Sequence, residues 1–324
     1  MSFLITGGAG YIGSHVVRAL ALAGEQVVAY DDLSTGDASR VPDGVPFVQG
    51  TTLDRGLLDR TIADHRVTAV IHLAAKKQAC ESMAQPLRYY RENLHGLQIL
   101  LEAARGNRVG RFVFSSSATV YGAPDTEPAT EDTRCAPATP YGETKLVGEW
   151  LVRDAGRAYR MSTACLRHVN VAGAAAPELA DTGGDGLIPM TFEYLSAGSP
   201  PRIFGADYPT PDGTCVRDYI HVEDLAEAHV ATARALAEQP EPEHLTLNIG
   251  RGQGVSVREM VTLIAQITGH EDLSPVVAPR RPGDPARVVV SPELAAKHLG
   301  WTARRDVAAM VTSAWAGWLC RGTA

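Results

Sequence analysis

Residues 2–15 read SFLITGGAGYIGSH: a short apolar run, a glycine-rich turn and the start of an amphipathic segment. Gly7, Gly10 and Gly13 stand three apart, directly after the run. Glycine lets the backbone turn tightly and approach a ligand closely. A helix beginning there points its free N–H groups at an anion. Many loops collect glycine, so the spacing alone settles nothing. Its context does more. QVVAY (26–30) follows as a second strand, and Asp31 ends it, about 20 residues past the glycines. A carboxylate there can bind ribose hydroxyls, although an ordinary turn acid would look the same. No arginine follows in Asp31-Asp32-Leu33-Ser34, which favours NAD over NADP.

The alternation continues outward to residue 170. Strands are predicted at 2–6, 26–30, 68–75, 110–117 and 161–167, and helices near 12–23, 87–105 and 142–159. Near-continuous apolar strands separated by helices imply a parallel sheet covered on both faces. Beyond Asn170 the pattern breaks. Residues 173–186 and 205–214 read as loops, helices return at 223–238 and 256–268, and HLTLNIG (244–250) is a late strand able to rejoin the sheet. Ser256 and Glu259 form a capping box for the last of these helices. The fold expected is α/β: a Rossmann-type doubly wound parallel sheet with a smaller mixed α/β C-terminal lobe. Its domains are 1–170, rejoined by segments around 215–250, and 171–324.

Composition narrows the partners. The chain has 324 residues, 45% hydrophobic and 21% charged, ample for a sizeable core. Its net charge of −7, without a Lys/Arg run, argues against nucleic acid. Cys80, Cys135, Cys165, Cys215 and Cys320 form no CxxC pair, which suggests reduced thiols and no metal site. No basic leader precedes the strand at Ser2, and no apolar run approaches the roughly 20 residues of a membrane span. The expectation is a cytoplasmic protein bound neither to membrane nor to nucleic acid.

PYGETK (140–145) places Tyr141 and Lys145 at i and i+4, on one face of a helix starting after Pro140. Alone, the pair reads as a surface tyrosine packed on a lysine stem. The glycine turn, the acid after the second strand and FSSSATVYG (114–122) change that reading. An ammonium beside a phenol favours the phenolate, lowering its pKa from about 10 toward working pH. Such a tyrosine can take a proton from a sugar hydroxyl as hydride leaves the same carbon. A serine ending the neighbouring strand could hydrogen-bond that hydroxyl.

Together these features resemble the UDP-galactose 4-epimerases among the extended short-chain dehydrogenase/reductases. The resemblance runs from TGGAGYIGSH through HLAAKKQACES, REN, SSSATVYG, PYGETK and LRHVN to IFGADYPTPDGTCVRDYIHVEDLA and APRRPGDPARV, covering almost the whole chain. It implies Ser117, Tyr141 and Lys145 as catalytic residues. It also implies NAD held by Gly7, Gly10, Tyr11, Ile12, Gly13, Asp31, Asp32, Thr51, Thr52, Leu73, Ala74, Ala75, Lys77, Asn93, Tyr141, Lys145 and His168. A UDP-sugar would meet Lys77, Ser117, Ala118, Thr119, Tyr141, Asn170, Leu187, Arg202, Ile203, Phe204, Arg217, Tyr219, Arg281, Asp284 and Val288. Arg217 and Arg281 could equally be solvated surface arginines, and Asn170 could merely cap a turn. Asp218 and Asp224 read as structural. A homodimer built on the helices near 87–105 and 142–159 is also implied.

Related nucleotide-sugar 4,6-dehydratases carry an Asp and a Glu where this chain has Ala118 and Thr119, and the decarboxylases carry a Glu at the latter position. Without those acids, a keto intermediate is expected to take its hydride back on the other face, inverting carbon 4. The rivals are a UDP-uronate 4-epimerase, a 4,6-dehydratase, a decarboxylase, or a non-catalytic NAD-binding regulator. Several positions depart from the family's usual residues: Thr51 for an aspartate, His168-Val169 for Tyr-Phe, Gly186 for an asparagine. Val288 stands where some members have a tyrosine that limits substrate size, which implies tolerance of an N-acetyl group at carbon 2.

Overall fold

The apolar runs become the strands of a computed structural model that describes residues 1–181, 183, 186–281 and 283–321. In chain order they are β1 (Ser2–Thr6), β2 (Gln26–Asp31), β3 (Phe47–Gln49), β4 (Ala69–His72), β5 (Arg111–Ser117) and β6 (Ser162–His168). Then come β7 (Asn170–Ala172), β8 (Arg202–Phe204), β9 (Val216–His221), β10 (His244–Ile249), β11 (Gly254–Ser256), β12 (Val276–Ala278) and β13 (Arg287–Val288). Seven of them form one parallel sheet in the order β10-β6-β5-β4-β1-β2-β3. The order reverses between β1 and β4, and that is where a doubly wound sheet opens a crevice at its carboxyl ends.

Both faces of the sheet are covered, which is why β1 is buried at every residue. The helices Tyr11–Leu22 and Val222–Glu238 pack together on one face, joining Val16, Val17 and Leu20 to Leu225 and Ile220 in one apolar cluster. Arg55–Asp64, Gly96–Gly106 and Pro140–Tyr159 supply Leu58, Ile62, Leu97, Leu100 and Val152 to the other. A smaller lobe holds β11-β9-β13, with β7 also on β9, and a separate β12-β8 pair. Its core gathers Phe192, Met260 and Met310; the Phe192 ring lies 5.0 Å from Trp315 and 5.7 Å from Trp318.

The structure departs from the expected elements in places. The helix expected over 87–105 is three pieces: Pro86–Tyr89, a wide π turn at Tyr90–His95, and Gly96–Gly106. The π turn turns Asn93 inward, where it bonds both backbone groups of Lys76 and the Thr144 hydroxyl. The strand expected over 68–75 stops at His72, releasing Leu73–Ala75 toward the crevice. Helices Arg55–Asp64, Leu187–Ser196 and Val307–Cys320 had no counterpart in the sequence reading. Residues 182, 184 and 185 of the loop expected at 173–186 lie outside the described residues.

Candidate active site

The glycine loop crosses the gap between β1 and β4. Gly7 adopts φ +74°, and a Cβ there would stand 2.7 Å from the Ala74 nitrogen; a Cβ on Gly13 would stand 1.9 Å from the Gly7 carbonyl oxygen. The helix Tyr11–Leu22 begins with no capping side chain and no acid in its first turn, leaving its N-terminal donors for a ligand anion. Asp31 accepts from the Ala9 N–H at 3.0 Å and the Leu33 N–H at 2.8 Å, and burial raises its carboxyl above the ordinary range. Backbone donors, an uncapped helix start and an acid at the ribose position together fit a dinucleotide.

The crevice gathers nearly every residue expected there. Gly7, Gly10, Tyr11, Ile12, Gly13, Asp31 and Asp32 line one end. Thr51, Thr52, Leu73, Ala74, Ala75 and Lys77 line its length, and Tyr141, Lys145 and His168 close it. Asn93 differs: it is buried, and it fixes Lys76 instead of lining the cavity. Tyr30, Ser34, Thr35, Arg40, Lys76, Gln78, Glu92, Ser115, Asp181 and Gly183 also line it, and none was read from the sequence. Ser34 and Thr35 follow Asp31 closely enough to have been found. Arg40 and Asp181 arrive from distant loops, Arg40 donating to the Ala180 carbonyl at 2.9 Å, and nothing in their local sequence marks them.

The three serines ending β5 divide the work at the chemical centre. The Ser115 carbonyl accepts from Lys145 Nζ at 2.7 Å. Ser116 donates to Glu149 at 2.5 Å. Ser117 Oγ accepts from the Thr119 N–H at 3.2 Å and faces the Tyr141 phenol. Thr139 caps the helix Pro140–Tyr159, accepting from the Gly142 N–H at 3.2 Å, and Pro140 begins it. Tyr141 and Lys145 then lie one turn apart, both buried.

One expectation is corrected here. The ammonium was expected to favour the phenolate, lowering its pKa toward working pH. Burial instead pushes Tyr141 up to about 12, only partly opposed by Ser117. Lys145 is itself lowered to about 8 by burial, with Glu149 opposing. Its Nζ is committed to the Ser115 carbonyl and sits 5.9 Å from the centre of the tyrosine ring. Desolvation therefore outweighs the charge of the lysine in the protein alone.

Two further cavities continue the crevice. His168 borders it and also borders a second cavity lined by Ser117, Ala118, Thr119, Thr139, Val169 and Val288. The acid lining that cavity is Asp218, whose oxygens accept the Arg251 and Gly252 N–H groups at 3.1 and 2.9 Å. Asn170 and Arg217 border this cavity and a third, which adds Leu187, Arg202, Phe204, Tyr219, Arg281 and Asp284. Arg217 pairs with Asp284 and donates to the Pro285 carbonyl; Arg281 lies 4.1 Å over the Phe204 ring. Ile203 is buried, and its side chain lines none of the three. Asp224 is also buried, spent on the Arg304 and Arg305 N–H groups and the Arg305 guanidinium.

Comparison with known proteins agrees with this architecture. The profile of the NAD dependent epimerase/dehydratase family matches residues 3–250. The chain belongs to that family. A UDP-glucose 4-epimerase of Azospirillum brasilense is 44% identical over 309 residues, 94% of this chain and 87% of that protein. Among solved structures, a UDP-glucose 4-epimerase of Stenotrophomonas maltophila, with bound NAD and formylated UDP-arabinopyranose, superposes with TM-score 0.94 at 39% identity, over the full length of both chains. That of Brucella ovis, in complex with NAD, gives 0.92 at 40% identity over 97% of each.

As a member of the epimerase/dehydratase family the enzyme is NAD-dependent. The departures noted in its sequence fall inside the cavities. His168 donates through Nδ1 to the Val169 carbonyl at 3.0 Å, and burial holds its pKa near 3. The ring is therefore neutral, and its Nε2 is an acceptor. The Thr51 carbonyl accepts from the Tyr30 hydroxyl at 2.9 Å. No described helix is long and apolar enough to cross a membrane, and no described cluster of His, Cys, Asp and Glu could hold a metal ion.

Proposed function

We propose that the protein inverts carbon 4 of a UDP-hexose by transient oxidation, turning of the keto sugar and re-reduction. The observation that carries this is the run of three adjoining cavities, with Ser117, Tyr141 and Lys145 at the junction of the first two. Bound NAD supplies a hydride acceptor and, once reduced, a donor. Tyr141 takes the proton from the hydroxyl on carbon 4 and later returns it; Ser117 orients that oxygen. Lys145 holds positive charge beside the phenol and fixes the nicotinamide end. Arg217 and Arg281 suit the pyrophosphate of the sugar nucleotide, which stays tethered while the ring turns.

Ala118 and Thr119 stand in the sugar cavity where a dehydratase would need titrating acids. Asp218 does not replace them, since backbone donors hold its oxygens. A keto sugar beside Ala118 and Thr119 meets no Asp–Glu pair there to expel water, which supports reduction on the opposite face. Val288 on the same wall supports acceptance of UDP-N-acetylhexosamines as well. Residues 1–170, rejoined by 215–250, act as the cofactor lobe, and 171–324 as the sugar-nucleotide lobe. A homodimer is supported by apolar side chains left exposed on the two long helical stretches, Leu87 at 83% and Trp150 at 48%. No disulfide joins the described cysteines, which suits a cytoplasmic location.

The decisive experiment incubates the protein with a panel of UDP-sugars and follows them by proton NMR. Interconversion of UDP-glucose and UDP-galactose without net consumption of NAD is expected. Loss of water or carbon dioxide, read by mass, would overturn the assignment in favour of a dehydratase or decarboxylase; binding of NAD without turnover of any sugar would indicate a regulator.

A further inference from the structure

Lys145 carries its charge inside the protein, 4% exposed, and burial alone works to discharge it. Glu149 stands at i+4 on the same helix and is equally buried, at 4%. Side chains four apart share a helix face. Its carboxylate is pinned from two strands. Ser116 of β5 donates at 2.5 Å, and Arg167 of β6 donates through Nε at 3.0 and 3.2 Å and through Nη2 at 2.7 Å. Arg167 is anchored in turn to the Tyr121 hydroxyl at 2.9 Å and the Glu131 carbonyl at 3.1 Å. Tyr121 continues the chain to Asn248 Oδ1 at 2.7 Å.

We propose that Glu149 is a positioning residue of the reaction, a fixed buried carboxylate one turn from Lys145 that keeps its ammonium charged beside Tyr141. The inference rests on the role given to Lys145 above. The titratable groups facing Lys145 are Tyr141 on its own helix, His72 on β4 and His168 on β6. Burial holds both imidazoles near 3, so neither adds charge at neutral pH. Arg167 is positive, and its guanidinium is engaged on the Glu149 carboxylate itself. Glu149 is the negative charge in this set. An ion pair that merely braced the helix would leave the titration of Lys145 untouched.

The chain has four lysines, Lys76, Lys77, Lys145 and Lys297, so the holoenzyme labelled with 15N-lysine gives few ammonium signals to assign. Glu149→Gln should lower the Lys145 midpoint by about one unit, a tenfold change in its proton equilibrium. The alkaline limb of kcat should move down by the same amount, with KM little changed. That substitution leaves Arg167 buried and unpaired, so the paired variant Glu149→Gln/Arg167→Met is measured beside it, since removing both members of a buried pair is often tolerated. Its midpoint should fall too, by less, because a positive charge leaves with the negative one. Either folded variant with Lys145 titrating at the wild-type pH would overturn the proposal, even if kcat fell. A wild-type protein that turned over no UDP-sugar while Glu149→Gln still moved Lys145 would refute the proposed function and leave this inference standing.

Discussion

At the scale of single residues, the site depends on two atoms that cannot be replaced by anything near them: the Tyr141 oxygen and the hydrogen on Gly13. Under the proposed mechanism, Tyr141→Phe removes the group that exchanges a proton with carbon 4's hydroxyl while keeping the ring that lines the crevice. General acid–base groups contribute about 10²–10⁴-fold, so turnover should drop by about that factor with NAD still bound. Cofactor absorbance and a rate measurement on one preparation would check both halves; wild-type turnover in the variant would refute the role. Gly13→Ala fails differently. Its methyl would sit 1.9 Å from the Gly7 carbonyl, on backbone that has no slack. The loop must open, so dinucleotide affinity should fall at least tenfold in a titration while the pH dependence of any remaining turnover is unchanged.

At the scale of elements, the helix Pro140–Tyr159 delivers Tyr141 and Lys145 to the ends of β5 and β6, and its position is set at its first turn. Thr139 both caps that turn and lines the cavity shared with Ser117, Ala118 and Thr119. Thr139→Ala should cost about 1 kcal/mol of stability, a fall in Tm of about 2 °C. It should also lower kcat more than it raises KM, because Tyr141 lies two residues from the cap. A fall in Tm with unchanged kcat would mean that packing, and not the cap, positions the tyrosine. This helix was legible in the sequence: Pro at its start, a Tyr–Lys pair on one face and an apolar strand on either side. So were β1, β2, β5, β6 and β10: β1 and β2 carry unbroken apolar runs, β5 runs apolar into its serines, and β10, at the sheet's edge, alternates apolar with polar residues. The π turn at Tyr90–His95 was not, since it depends on Asn93 finding Lys76 across the chain. Nor was the helix Val307–Cys320, whose period is hidden because exposed Ala309, Ala316 and Leu319 are as apolar as buried Met310 and Val311. The site split the same way. Glycines, acid, serines and the tyrosine carry local signatures, whereas Arg40, Asp181 and the Glu149–Arg167 pair exist only as contacts between distant segments.

At the scale of the whole molecule, the dominant titration effect is imidazole held neutral in the interior. Burial lowers His15, His221 and His229 to about 4, and His72 and His168 to about 3. In the unfolded chain each titrates near 6.5. A group depressed in this way contributes stability that is fully present above about pH 6.5 and is lost as pH falls toward its folded value. Asp218, raised to about 6 by burial, works in the opposite direction, as do Asp31 and Glu131, also raised by burial. The lowered imidazoles outnumber the raised carboxyls, so the unfolded chain binds more protons than the folded one between pH 6 and 5. Stability should then fall as the pH falls there, by about 1.4 kcal/mol per pH unit for each extra proton the unfolded chain binds. The first region to loosen should be the edge of the cofactor crevice. His15 Nε2 accepts the Ala175 N–H at 3.0 Å and Nδ1 donates to the Tyr11 carbonyl at 2.8 Å; protonation turns that acceptor into a second donor aimed at an N–H. Urea melts at pH 7.5, 6 and 5 should therefore show a falling midpoint with a constant slope, and His15→Gln, which keeps an acceptor without titrating, should flatten the trend. Equal midpoints at all three values would mean that the buried imidazoles reach solvent before the fold gives way.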